Sequence, residues 1–142
     1  MKVVDLNVLL YSVNADSPHH ADAHGWLTKA LNGEEPIGFC WAVMLGYVRI
    51  STNLRIFPHA ASSVEAIADV RTWLSSEMAV VVGPGTGHLE LLDGILQKCG
   101  TAGNLVTDGH IAALAVELGA EVATFDNDFH RFDGVRVFRP AG

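Results

Sequence analysis

Three aspartates stand where an apolar chain has no structural use for a charge. Asp5 interrupts the run "MKVVDLNVLLY", Asp108 falls within "NLVTDGHIAALAVELG", and Asp126 follows directly on "VATF". A buried, unpaired carboxylate costs several kcal/mol, so each must reach water, find a partner or serve a site. On a helix turning about 100° per residue, Asp108 lies within roughly 60° of Ile111, Ala112 and Ala115, on the apolar side. An acid early in a helix ordinarily faces solvent and complements the dipole; this stripe turns it inward.

Carboxylates that converge on one crevice repel each other, and their pKa values rise unless a cation neutralises them. Hard divalent ions prefer all-oxygen ligands, and Mg²⁺ takes only one or two carboxylates while keeping several waters. Such a site suits metal-assisted phosphodiester hydrolysis. The same three acids also fit unrelated caps and turns, and spacing alone leaves both readings open.

The elements that must position them follow from periodicity. "MKVV", "EEPIGFCW", "MAVVV", "EVATF" and "VRVF" read as short strands, with helices over "DLNVLLYSV", "AVMLGYVRISTN", "SSVEAIADVRTWLSS", "HLELLDGILQKCG" and "NLVTDGHIAALAVELG". A further helix is expected after Ser17-Pro18, running to Gly33. Glu65 three residues after Ser62 gives a Ser-x-x-Glu start, Asn104 reads as an N-cap, and Gly119 sits in the C-cap position. Strands alternating with helices predict an α/β fold with a mostly parallel sheet of four to five strands, covered on both faces, in one domain over 1–142. In such sheets the crevice lies beyond the strands' carboxyl ends. Asp5 and Asp126 both open onto that edge.

Composition narrows the partners. The 142 residues are 49% hydrophobic and 18% charged, with a net charge of -7, which argues against nucleic-acid binding by bulk charge. The basic residues lean toward "VRISTNLRIF", with Arg49 and Arg55, and toward Arg131, Arg136 and Arg139 near the end. Either group serves phosphate contacts or a solvated face. No apolar run approaches the roughly 18 residues of a membrane span, and the start carries no small-residue cleavage site, so a cytoplasmic location is expected. Cys40 and Cys99 read as reduced core residues.

"VVDLNVLLY" and "GTAGNLVTDGHIAALAVELGAEVATFDNDFHRF" resemble the opening and closing blocks of the PIN-domain ribonucleases, in particular the VapC toxins of type II toxin–antitoxin systems, and the resemblance spans nearly the whole chain. It implies a PIN-domain-like three-layer α/β/α sandwich and a Mg²⁺- or Mn²⁺-dependent endoribonuclease. The metal ligands would be Asp5, Asp108 and Asp126, with Asn7 and Thr124 as supporting polar residues. Asp128 would be an outer or second-metal ligand, or a cap of the turn in "DNDF". It also implies structured RNA (tRNA or rRNA) as substrate, a VapB-type antitoxin as inhibitor and a homodimer, with Arg49 and Arg131 as candidate substrate contacts. One departure is plain: the family's usual Glu on the helix after the second strand is absent, and Met44 stands near its place. One tight ion is therefore expected, and a catalytically degenerate binding module is the alternative.

Other motifs carry less. "GPGTGH" lacks the Gly-Lys-Ser/Thr of a phosphate loop, and the His20/His24 pair lacks the Glu of a zinc protease helix and reads as a solvated face. Haloacid-dehalogenase-like phosphatases also place Asp after the first strand, but need a second Asp where Asn7 stands. Trp26, Trp41 and Trp73 read as core or dimer contacts. His110 and His130 fall near the proposed ligands.

Overall fold

The computed structural model describes residues 1–100 and 102–142. Among them five strands form one parallel sheet in the order β3-β2-β1-β4-β5: β1 (Lys2–Val4), β2 (Ile37–Cys40), β3 (Ala79–Val82), β4 (Glu121–Ala123) and β5 (Val137–Phe138). The chain steps outward from β1 to β3, then returns to add β4 on the other side of β1. Right-handed crossovers therefore place α1 (Leu6–Val13), α2 (His20–Leu31), α3 (Trp41–Ser51) and α4 (Ser63–Leu74) on one face. They place α5 (His88–Cys99) and α6 (Val106–Leu118) on the opposite face. Packing follows this division: α1 meets α2 and α3, α3 meets α4, and α5 meets α6. The fold is the expected covered parallel α/β sandwich.

Central strands buried on both sides read as continuous apolar runs, and Val3, Val4, Ile37, Phe39, Val122 and Ala123 are all buried. At the β3 edge Val80 and Val81 turn outward. The α5–α6 pair packs closely because Gly109 has no side chain. A Cβ there would stand 3.1 and 3.2 Å from methyl groups of Leu96 and Leu92. Beneath Gly109, Ile111 to Ala115 are buried without a break, which pins the helix that carries Asp108.

Two helix starts differ from the sequence reading. α6 is entered from a 3₁₀ turn over Gly103–Leu105, so Leu105 takes the cap position and Asn104 lies exposed within the turn. α2 begins only at His20; Ser17 instead organises the turn before it, its Oγ accepting the His19 N–H at 3.1 Å. The Ser62–Glu65 capping box closes reciprocally, with both bonds at 3.1 Å. Gly119 ends α6 in the left-handed region at φ 62°.

Trp26 and Trp73 belong to the core, but Trp41 is 58% exposed. His20 and His24 are more than a solvated face: their Nδ1 atoms lie 2.8 and 3.3 Å from the carbonyls of Tyr11 and Ser12 and tie α2 to α1. Cys40 and Cys99 are free thiols. Among the described residues no helix is long and apolar enough to cross a membrane.

Candidate active site

β1 and β4 run side by side with Val4 opposite Ala123. Asp5 and Thr124, the next residues, therefore leave the sheet together, between the strands where the strand order reverses. That switch point is where open α/β sheets form their crevice. Asp5 is only 5% exposed. Its Oδ1 accepts the Leu6 N–H at 2.7 Å, capping α1, and its Oδ2 accepts the Thr124 hydroxyl at 2.7 Å. Thr124 Oγ1 in turn accepts from Asn7 Nδ2 at 3.2 Å and from the Asp126 N–H at 2.9 Å. A hydroxyl has one hydrogen to give and two lone pairs, and all three are used. Asn7 Oδ1 completes the frame by accepting the Phe125 N–H at 3.2 Å. These bonds explain why β4 stops at Ala123 rather than continuing through Phe125.

Asp126 caps the 3₁₀ turn Asn127–Arg131, its Oδ1 accepting the Asp128 N–H at 2.8 Å. Asp108 stands in the first turn of α6. Burial pushes the Asp108 carboxyl up to about 7, and the charges of Asp5, Asp126 and Asp128 push the same way. Burial likewise raises Asp5, against the pull of the Thr124 and Leu6 hydrogen bonds, and the Asp126 charge adds to the rise. The structure thus brings Asp108 within electrostatic reach of Asp5, Asp126 and Asp128, and Asp5 within reach of Asp126. Among the described residues no Lys, Arg or His forms an ion pair with any of them.

The donor set suits a hard divalent ion: all oxygen, mutually repelling and, among the described residues, unpaired with any cation. Among the described residues no three acids, imidazoles or thiols stand close enough, as placed, to hold one ion directly. An ion that keeps most of its waters and takes one or two carboxylates meets both conditions.

Arg49 is exposed in the last turn of α3, and Arg131 is exposed at the end of the 3₁₀ turn; neither is bonded to the carboxylates among the described residues. His130 is exposed, and His110 Nδ1 is bound at 2.8 Å by His88 of α5. Met44 is 1% exposed, packed into the core. The structure adds a group beside the site that sequence reasoning missed. Arg139 Nη1 donates to the Phe125 carbonyl at 3.2 Å, and its guanidinium lies 5.2 Å from that ring's centre. His19 stacks on Phe125 at 4.9 Å and Tyr11 meets it edge-on at 5.5 Å. The basic cluster near the end of the chain was the only signal for Arg139.

A model of the PIN domain matches residues 2–135. The chain belongs to the PIN-domain family. This PIN domain is 45% identical over 140 residues to Ribonuclease VapC37 of Mycobacterium tuberculosis (strain ATCC 25618 / H37Rv), covering 99% of this chain and 97% of that protein. It is 39% identical to Ribonuclease VapC33 of the same strain, over 99% of this chain and 98% of that one. These relatives make it a PIN-domain ribonuclease of the VapC type. In fold it is similar to the Mycobacterium tuberculosis VapC20 crystal structure, described as a Sarcin-Ricin loop cleaving toxin, with TM-score 0.74, 18% identity and coverage of 99% of this chain and 100% of that one. It is also similar to VapBC2 from Rickettsia felis, bound to a DNA fragment from their promoter, with TM-score 0.71, 15% identity and 96% of each chain covered.

Proposed function

We propose that this PIN domain is the toxin of a type II toxin–antitoxin pair, an endoribonuclease that uses Mg²⁺ or Mn²⁺ to hydrolyse phosphodiester bonds in structured RNA, tRNA or ribosomal. The observation that carries the reading is the group of carboxylates at the sheet's switch point, with which no cation pairs among the described residues. The Sarcin-Ricin loop cleavage attributed to VapC20 supports a structured substrate. Asp5 and Asp108 would hold the ion directly, with Asp126 reaching it through one of the waters it keeps and Asp128 outside them. When bound, the ion polarises a phosphoryl oxygen and acidifies a water for attack.

The chain's own residues do the rest. Thr124 and Asn7 lock Asp5 in one rotamer, so the ligand is in place before substrate arrives. Arg139, held against Phe125, sits where it can orient the RNA backbone, with Arg49 and Arg131 as outer phosphate contacts. A VapB-type antitoxin covers the site, two copies form the working dimer, and the complex resides in the cytoplasm.

A second reading, a degenerate PIN domain that binds without cutting, is favoured by one observation: α3 has no acid in its first turn and buries Met44. Cleavage of RNA by antitoxin-free protein, with Mn²⁺ and after chelation, decides between the two. Cutting that stops on chelation supports the nuclease; no cutting despite calorimetrically measured Mn²⁺ binding supports the degenerate module.

The ion should also reverse the site's pH dependence. Because the folded state raises the Asp108 pKa from 3.8 to about 7, it holds a proton that the unfolded chain has released. Stability of the metal-free protein therefore falls as pH rises through that window and levels off above it. Protons and metal compete for the same oxygens, so Mn²⁺ should raise the melting temperature more at about pH 8 than at about pH 6. Equal Mn²⁺ shifts at both pH values, measured by thermal melts, would show that Asp108 is not a ligand.

A further inference from the structure

Away from the carboxylates, a cavity of about 240 Å³ opens among α1, α3, α4 and the segment leading into α4, lined in part by Asn14, Tyr47, Ser51, Phe57, His59 and Asp69. One of its walls is unfinished. The Ser51 hydroxyl is buried and, among the described residues, has no hydrogen-bond partner; it lies beside the Tyr47 phenol without reaching bonding geometry. Orphaned buried hydroxyls are rare because the lost hydration is not recovered. The backbone around it is fixed, since the Ser51 carbonyl accepts the Ala61 N–H at 2.9 Å and so fastens the segment that closes the cavity.

The neighbouring wall carries a charge. Tyr47 is 1% exposed and meets Trp73 edge-on at 4.8 Å, which holds its hydroxyl toward Asp69 Oδ2, where it donates. Among the described residues no cation pairs with Asp69. Phe57, Leu10 and Val13 supply apolar lining to the same cavity. A carboxylate, a free hydroxyl acceptor and apolar lining in one small cavity complement a short cation with N–H donors on an apolar stem. An anion would meet the Asp69 charge and a net charge of -7, and an uncharged ligand leaves Asp69 unpaired.

We propose that this cavity is a binding site for an alkylammonium or guanidinium group, delivered either by a free small amine or by a Lys or Arg side chain of a bound peptide. The site does not depend on the nuclease reading, and its test measures binding rather than cleavage. The full chain, isotope-labelled, is titrated with propylammonium, with N-acetyl-arginine amide, and with inorganic phosphate as the anionic control, while NMR shifts of Ser51 and Asp69 are followed.

Saturable shifts with either cation and none with phosphate are expected. Asp69→Asn, which keeps an acceptor for Tyr47 and so preserves the fold, should weaken binding about tenfold or more, and Ser51→Ala several-fold. Preference for propylammonium points to a free amine, and preference for the blocked arginine points to a peptide side chain. No saturable shift, or unchanged affinity in Asp69→Asn, overturns the proposal and leaves water as the occupant.

Discussion

Asp5→Asn is expected to abolish RNA cleavage while leaving the chain folded. The substitution preserves shape but removes the charge that would hold the ion, and losing roughly 4 kcal/mol of charge stabilisation in the transition state corresponds to about a 10³-fold fall in rate. Stability is pulled both ways. The amide opposes one of the two donors, Leu6 N–H and the Thr124 hydroxyl, that meet Asp5 at 2.7 Å, at a cost of about 1–2 kcal/mol. Against this, a 5% exposed carboxylate no longer has to carry a charge. The metal-free melting temperature should therefore stay within about 5 °C of the parent. The paired measurement is RNA cleavage with Mn²⁺ and thermal unfolding without it. Cleavage at the parental rate would remove Asp5 from the metal site. A collapse of both activity and melting temperature would make it a structural residue.

Why some of this was legible from sequence and some was not comes down to range. Asp5 announced itself because a carboxylate in an apolar run conflicts with its neighbours, and a conflict between local pattern and burial marks a site. Asp108 was readable from helical angle, since its stripe partners Ile111, Ala112 and Ala115 are three to seven residues away and all buried. The Thr124 hub was not readable from the residues alone: its partners Asp5 and Asn7 are 119 and 117 residues away and meet it only because β1 and β4 pair. Family resemblance named Asn7 and Thr124 as supporting residues, but not the strand pairing that joins them.

The group around Phe125 depends on α2 folding back over α1 and on the chain returning after β5. Neither periodicity nor composition encodes these contacts of Tyr11, His19 and Arg139. Asn104 failed as a cap for a local reason: an N-cap assignment assumes the helix begins abruptly, and here a 3₁₀ turn feeds it. Trp41 shows the limit of composition, since a large ring at the start of a helix gives no sign of which way it faces.

Thr124→Val should test the hub more sharply than any change to the acids, because it alters neither charge nor volume. Valine removes the donor to Asp5 Oδ2 and the acceptor for Asn7 Nδ2 and the Asp126 N–H. Thr124 is 2% exposed, so water cannot replace its hydroxyl. With each orphaned group costing about 1–3 kcal/mol and the rim groups partly rescued by solvent, a net loss of about 3 kcal/mol is expected, or a melting temperature lower by about 10 °C. The hydroxyl also holds the Asp5 pKa down, so without it Asp5 titrates higher and the acid limb of the pH–rate profile moves upward. Thr124→Ser keeps the hydroxyl and should recover most of both effects. A valine variant that melts like the parent would mean that the three bonds contribute nothing net. A lowered melting temperature with an unmoved pH profile would make Thr124 a packing residue that leaves the Asp5 charge untouched. Only the combined shift, reversed by serine, assigns it to positioning the carboxylate.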